Sequence, residues 1–271
     1  MTRYGMVRAL LLAALLLATP LGQAGCASDD GAAAAGTARA SGHGFAFGPG
    51  GGNLEGASVH AIDADGVPLP GAATTTAAGG AWALDGLPRG VDLSFVLEKP
   101  GFATTQTQVF RLAGDVEKVT FQVPSDAVYD LMSGLVNLEP DPTKCQIATT
   151  VTRRGHSLYD GHGTHGEPDA TVSISPTVGV ADGPVYFNLV KYDVIFPDRE
   201  LTATSHDGGV LFLDVKPGRY TLIAAKPGAT IRPVTLDCRA GVLANASPPW
   251  GLQVEAGGLE PKKPGEKGPF D

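Results

Sequence analysis

The chain has 271 residues and a formal net charge of −8 at pH 7, with 20 lysines and arginines against 28 aspartates and glutamates. An acidic chain without a basic stripe cannot displace counterions from phosphates, which excludes a nucleic-acid-binding role. Hydrophobic residues make up 43% of the sequence, as in globular proteins, and 37 glycines with 21 prolines predict many turns.

Residues 1–25 have the features of a cleaved export signal. Arg3 and Arg8 place positive charge at the start, and residues 9–20 form an apolar run that is short for a membrane-spanning helix. Small residues follow this run and precede Cys26, as expected for a peptidase site. We therefore predict that the mature protein is exported.

The sequence around Cys26 resembles the lipobox of bacterial lipoproteins, in which the cysteine carries lipid and becomes the first mature residue. Gln23 departs from that pattern, because leucine is usual there, so a plain secretory cut after Ala24 stays open as the alternative. The resemblance implies a cell-envelope protein held to the membrane by lipid. The alanine and serine that follow Cys26 resemble those of lipoproteins sorted to an outer membrane.

Two segments contain too few large apolar residues to pack. Residues 26–42 are mainly Ala, Gly, Ser, Asp and Thr, and we predict a flexible tether there. Residues 257–271 are rich in Gly, Pro and Lys, and we predict a disordered tail.

Between these ends the chain repeats itself. The clearest match is Lys-Pro-Gly at 99–101 and again at 226–228, and weaker matches precede both copies. The spacing predicts a tandem duplication of one domain type rather than a short-period solenoid. We predict a first domain at 43–125, a linker with a short helix at 126–144 and a more divergent second domain at 145–256.

Both copies have the pattern of β structure. In the second copy, Val210–Val215 and Arg219–Ala224 are strand-length runs rich in β-branched and aromatic residues. Asp207-Gly208 and Pro217-Gly218 lie where the chain must reverse. Helix signals are poor after the leader, except in 126–138. Many short strands with regular turns predict an all-β fold of two tandem sandwiches.

The first copy resembles the carboxypeptidase regulatory-like (prealbumin-like) β-sandwich family, which is close to Cna-B-type domains. Its pattern of turns and strands is carried by Gly56–Val59, Asp63–Ala72, Gly80–Gly90 and Lys99–Phe102. The resemblance implies prealbumin-like sandwiches, similar in fold to carbohydrate-binding sandwiches, that act as accessory or adhesive modules outside the cell. No catalytic residues come with it.

The cysteines indicate one disulfide. If Cys26 carries lipid, Cys145 and Cys238 remain as an even pair in an oxidising compartment. Such a bond would close a long span and contribute about 4 kcal/mol in the chain-entropy description. A catalytic cysteine is the alternative, but no histidine motif lies beside either residue.

His156, His162 and His165 form the one histidine-rich segment, and the carboxylates close to them in sequence are Asp160, Glu167 and Asp169. The Gly-His-Gly-Thr-His sequence is similar to the histidine segment of subtilisin-like proteases. The serine motif that such enzymes need is missing, so we interpret the match as chance. Imidazoles in a glycine-rich loop could converge on Zn²⁺ or Cu²⁺, and a polar solvated hairpin loop is the alternative.

The two tryptophans have different contexts. Trp82 takes the inward position of a repeated strand and is predicted to lie in the core. Trp250 follows a proline-rich irregular segment and is a candidate for stacking on a sugar, with a plug over a sandwich edge as the alternative. Asp63–Gly66 looks like the start of a Ca²⁺ loop, but it lacks the later carboxylates and predicts a hairpin turn.

These features predict a non-enzymatic, lipid-anchored protein outside the cytoplasm that binds or scaffolds, without a cofactor. Its partner would be a carbohydrate or an envelope protein, and its attachment to the membrane would be the lipid on Cys26. Two alternatives stay open. One is a protein–protein spacer in an envelope assembly, and the other is a metal-binding protein that uses His156, His162 and His165.

Overall fold

The computed structural model describes residues 36–48, 51–156, 165–190 and 194–259. The predicted signal peptide, Cys26 and His162 lie outside these residues. The strands of the first half are β1 (Thr37–Phe47), β2 (Ser58–Asp63), β3 (Pro68–Thr75), β4 (Ala81–Pro88), β5 (Asp92–Glu98), β6 (Thr105–Thr107), β7 (Phe110–Arg111) and β8 (Phe121–Pro124).

A helix, α1 (Asp126–Leu135), follows β8. The strands of the second half are β9 (Cys145–Thr152), β10 (Thr171–Ser175), β11 (Val185–Val190), β12 (Val194–Asp198), β13 (Gly209–Val215), β14 (Gly218–Ala225), β15 (Thr230–Ile231), β16 (Val234–Cys238), β17 (Leu243–Asn245) and β18 (Leu252–Ala256). Single 3₁₀ turns occupy Ala78–Gly80 and Val180–Asp182. The predicted all-β fold class is confirmed. No helix in the described ranges is long and apolar enough to cross a membrane.

The first half is a sandwich of two sheets. One has the order β4-β1-β8, and the other contains β3, β2, β5 and β6, with β7 beside β5. Trp82 on β4 lies between Phe95 of the opposite sheet, with ring centroids 5.4 Å apart, and Phe121, with centroids 5.8 Å apart. The indole is buried, so the predicted core position of Trp82 is confirmed.

The second half has the same construction. The sheet β10-β14-β16 packs against a sheet that contains β12, β11, β13 and β9. Along β14, Tyr220, Leu222 and Ala224 are buried, because alternate side chains of a strand point to the same face. They meet Ile147 and Phe212 from the facing sheet in one apolar cluster.

The two halves repeat their strand pairings. β1 pairs with β4 as β9 pairs with β13, and β2 pairs with β5 as β10 pairs with β14. A buried threonine recurs with them. The Thr76 hydroxyl accepts the Ala57 N–H at 2.8 Å and donates to the Leu54 carbonyl at 2.5 Å. Thr204 makes the equivalent two bonds, accepting the Ala170 N–H at 2.9 Å and donating to the Glu167 carbonyl at 2.7 Å.

The repeated Lys-Pro-Gly sequence also has one structural role in both halves. Lys99 follows β5 and its Nζ donates to the Glu55 carbonyl at 2.7 Å. Lys226 follows β14 and its Nζ donates to the Pro168 carbonyl at 2.8 Å. Each lysine therefore ties the end of one strand to the segment that leads into the neighbouring strand. This role accounts for the motif without any ligand.

Strand β17 joins the two halves into one sheet. It runs parallel to β9 on one side and parallel to β6 on the other, so Leu243 lies opposite both Gln146 and Thr105. The resulting strand order is β12-β11-β13-β9-β17-β6-β5-β2-β3. The predicted duplication is thus built as two sandwiches that share a backbone ladder.

The predicted disulfide between Cys145 and Cys238 is confirmed. The Cα atoms are 5.7 Å apart and both residues are buried. Cys145 begins β9 and Cys238 ends β16, so the bond links the two facing sheets of the second half. The remaining cysteine is Cys26.

The tether prediction was wrong at its C-terminal end. Residues 37–42 belong to β1, and the small side chains of Ala38 and Ala40 point into the first core. Gly42 lies so close to the Val119 backbone that no side chain would fit there. The composition of this segment did not predict a strand, because its inward positions hold only alanine and glycine.

The C-terminal segment also extends the packed structure slightly beyond the prediction. β18 ends at Ala256, and the Leu259 N–H donates to a Glu167 carboxylate oxygen at 3.0 Å. The rest of the predicted tail lies outside the described residues.

We predict that replacing both Cys145 and Cys238 with serine lowers the free energy of unfolding by about 2–5 kcal/mol, because the unfolded chain regains the freedom of a 93-residue loop. Urea denaturation followed by circular dichroism measures the change. Reductant should destabilise the parent to a similar extent and leave the double variant unaffected. Equal effects of reductant on both proteins would contradict the assignment.

Candidate functional site: a cavity beneath the helix

Helix α1 covers a cavity of about 110 Å³ on one face of the β9-β13-β11-β12 sheet. This face is opposite to the sandwich core. On β13, Gly209, Leu211 and Leu213 line the cavity, while Val210 and Phe212 point into the core. The cavity is therefore a third apolar compartment, separate from the two cores that the strand pattern predicted.

The helix has defined ends that hold it over the cavity. Ser125 caps its first turn, with its hydroxyl accepting the Val128 N–H at 3.3 Å. Asn137 adopts a left-handed φ of 52°, which turns the chain so that the Leu138 N–H reaches the Ser133 carbonyl at 2.9 Å. This cap ends α1 at Leu135, three residues before Leu138, the last residue with a predicted helix signal.

One face of α1 lines the cavity. Tyr129, Met132 and Val136 recur at helical spacing and all border it. Leu131 and Leu135 lie on the opposite face, where they are 61% and 51% exposed. The helix therefore places the Tyr129 ring and the flexible Met132 side chain over the sheet, and it presents two leucines to solvent.

One end of the cavity is polar. Thr150, Asn245, Ser247, His165 and Asp207 border it there, and all five are buried. The Ser247 and Thr150 hydroxyls are 3.1 Å apart, the Ser247 N–H donates to the Asn245 side chain at 2.9 Å, and an Asp207 carboxylate oxygen accepts the Gly209 N–H at 3.1 Å. These groups form a hydrogen-bonding patch at the edge of an apolar space.

Tyr129 keeps its proton in this setting. Burial, followed by the negative charges of Asp214 and Asp130, raises the pKa of the Tyr129 phenol to about 12. The nearby Gln146 amide and Asp214 are bonded to each other, with Gln146 Nε2 donating at 2.8 Å and Asp214 N–H returning a bond at 2.9 Å. The phenol is therefore a neutral hydrogen-bond donor at physiological pH.

The histidine segment is only partly described. His156 follows β9, and His165 is buried with its carbonyl accepting the Arg153 N–H at 2.8 Å. His162 lies outside the described residues. No group of three or more His, Cys, Asp or Glu able to hold a metal ion occurs in the part of the chain that is described. Metal binding by His156, His162 and His165 stays a prediction.

A fourth histidine, His206, which no sequence motif marks, lies beside this segment. Arg153 Nη2 lies 3.2 Å from His206 Nδ1. Burial, and then the positive charge of Arg153, lowers the pKa of His206. The guanidinium also donates from Nε to the Gly166 carbonyl at 2.9 Å. A fixed positive charge at this position disfavours a second cation nearby.

A buried ion pair lies next to this cluster. Glu167 is completely buried, and its Oε1 is 2.5 Å from Nζ of Lys226. The same carboxylate accepts the Leu259 N–H. Because the charge is paired and hydrogen-bonded, Glu167 connects the start of β10, the end of β14 and the segment after β18.

Trp250 is on the surface. Its side chain is 36% exposed, and the Arg232 guanidinium lies 5.9 Å from the ring centroid. The Thr152 hydroxyl donates to the Trp250 carbonyl, which anchors the loop to β9. Binding of a sugar by this ring stays a prediction.

Asp63 forms the predicted hairpin turn. Its carboxylate accepts the N–H groups of Asp65, at 2.9 Å, and Val67, at 2.8 Å, between β2 and β3.

Comparison with known proteins finds no matching protein family and no matching curated protein. Among solved structures, the chain is similar to the TIE protein of Bacillus anthracis (14% identity, TM-score 0.25), over 77% of this chain and 33% of that one. It is similar to GBS52, the minor pilin of Streptococcus agalactiae (11%, TM-score 0.26), over 84% and 99% of the two chains. It is also similar to BcpA, the major pilin subunit of Bacillus cereus (14%, TM-score 0.26), over 73% and 69%.

The chain thus spans about a third of the length of the Bacillus anthracis protein. TM-scores of this size do not establish a common arrangement of strands. The function of this chain therefore has to follow from its own residues.

We predict that Tyr129 ionises last among the described tyrosines whose pKa is raised. Its pKa rises from 10.0 to about 12 on folding, so the unfolded state loses this proton first and stability falls as the pH rises between those values. Carbon-13 NMR of labelled tyrosine rings measures each pKa, and Tyr129→Phe should remove the latest transition. Tyr186→Phe is the matched control and should leave it in place.

Proposed function

We propose that this chain is a non-enzymatic, exported scaffold or spacer of the cell envelope, attached to a membrane by lipid on Cys26. The observation that carries the proposal is the sheet that passes through β17 from one sandwich to the other. A spacer has to hold two ends at a fixed separation. Two sandwiches on a flexible linker would not do so, whereas a hydrogen-bonded ladder resists bending.

Side chains reinforce this junction. Gln106 on β6 is completely buried, and its Nε2 donates to the Asp237 carbonyl in the second half at 3.0 Å. Arg239 Nε donates to Gln106 Oε1 at 2.7 Å, and its Nη1 reaches the Gly66 carbonyl in the first half at 3.3 Å. Both the nitrogen and the oxygen of the Gln106 amide are therefore hydrogen-bonded to the second half, which fixes the relative position of the two sandwiches.

An ion-pair network lies beside these contacts. Arg219 contacts Asp237 at 2.8 Å and Asp92 of the first half at 3.1 Å. All three side chains are at least partly exposed, so each pair contributes about 0.2–1 kcal/mol. The network therefore favours one orientation of the halves more than it stabilises the fold. The Val109 N–H adds a backbone bond to the Thr235 carbonyl at 2.9 Å.

Export is supported by the Cys145–Cys238 disulfide, because such bonds persist in oxidising compartments. The leader and the lipobox-like sequence before Cys26 support attachment to the envelope, at an outer membrane. Carbohydrate binding is the second candidate function. It is favoured by the exposed ring of Trp250, with Arg232 beside it.

We predict that the full chain fractionates with membranes and that Cys26→Ser releases it into the soluble extracytoplasmic fraction, because the lipid attachment is lost. Chemical cross-linking in the same cells should trap envelope proteins on the parent. Membrane association of Cys26→Ser would contradict the lipid anchor. Binding to purified glycans that Trp250→Ala abolishes, with no trapped protein, would favour the carbohydrate function instead.

We predict that the junction is rigid in solution. Spin labels on cysteines placed at the exposed positions Val67 and Val180, one in each half, should give a narrow distance distribution by pulsed electron resonance. Gln106→Ala should broaden it, because Asp237 and Arg239 lose their buried partner. Arg89→Ala, whose bond to the Thr37 carbonyl lies within the first half, is the control and should not. A broad distribution in the parent would contradict the spacer proposal.

A further inference from the structure

We propose that the cavity beneath α1 is a binding site for a small uncharged amphiphile, an aromatic or aliphatic alcohol, with its apolar part against the helix and its hydroxyl at the polar end. This proposal does not depend on the scaffold function, because it concerns a different surface of the chain.

The cavity is held open by the way that α1 is attached. At its start, the Asp126 N–H donates to the Gly101 carbonyl of the first half at 3.0 Å. At its end, Arg199 Nε from the second half donates to the Val136 carbonyl at 3.0 Å. A helix tied to both halves cannot settle onto the sheet without breaking these bonds. The space is therefore preformed, as binding sites for small molecules usually are.

The walls select an apolar body. Phe47 from β1 and Phe187 from β11 contact each other edge to face, with centroids 6.4 Å apart, and Tyr129 and Met132 approach from the helix. A cavity of about 110 Å³ is close to the size of engineered apolar cavities that bind benzene. A ring-sized ligand would make close packing contacts with these lining atoms.

The polar end selects a neutral hydrogen-bonding group. Among the described residues, the side chains that line the cavity include no lysine or arginine, and Asp207 lies at the polar end. An anionic ligand would lie beside the Asp207 carboxylate, and repulsion between the two like charges is unfavourable. The Thr150 and Ser247 hydroxyls can each donate and accept, so they suit a ligand hydroxyl. The Tyr129 phenol, whose pKa is about 12, stays neutral as well.

The test uses the full-length protein with benzyl alcohol, and with benzoate as a probe of the same ring carrying a negative charge. Titration followed by methyl NMR should show saturable shifts for Met132, Val136 and Leu211, and benzoate should bind at least tenfold more weakly. Non-saturable shifts, or benzoate that binds as tightly, would overturn the proposal.

Variants locate the site. Ala148 lines the cavity from β9, so Ala148→Leu should fill the space and abolish binding of benzyl alcohol while the circular dichroism spectrum is retained. Leu211→Ala enlarges the space and should shift preference toward a bulkier alcohol such as 4-propylbenzyl alcohol. Leu131→Ala, on the outer face of α1, is the matched control and should bind as the parent does. Unchanged binding in both Ala148→Leu and Leu211→Ala would refute the assignment to this cavity.

Discussion

Strand β17 has three residues, and its backbone is hydrogen-bonded on both sides, to β9 and to β6. The contacts between the two halves depend on this pairing. It places Gln106 against Asp237 and Arg239, and it brings the end of β1 close to β11, where Phe47 meets Phe187. Helix α1 is hydrogen-bonded to both halves, so the shared sheet also determines the distance between its two attachment points.

Local pattern was enough to predict most of the fold. The runs at Val210–Val215 and Arg219–Ala224 became β13 and β14 with one extra residue at one or both ends, because β-branched residues and flanking glycines define such strands. The disulfide followed from the number of cysteines and the predicted compartment. The repeated Lys-Pro-Gly sequence indicated the repeat, because each lysine donates to the backbone carbonyl at the equivalent position in its own half.

The remaining features have no local pattern. β17 is too short for periodicity, and its neutral Leu-Ala-Asn sequence is selected by two distant partners. The cavity is lined by side chains from elements far apart in the sequence, so no motif could identify it. Only the helical spacing of Tyr129, Met132 and Val136 could have indicated one wall of it. The sequence instead predicted a site at the histidine segment, because closely spaced imidazoles are a recognisable pattern of metal ligands.

The shared ladder means that the two sandwiches are not separable modules, although they repeat the same strand pairings. Separating them would leave β6 and β17 each with an unpaired edge, and such edges invite association with other chains. Recombination that exchanges a single sandwich for a foreign one would meet the same obstacle.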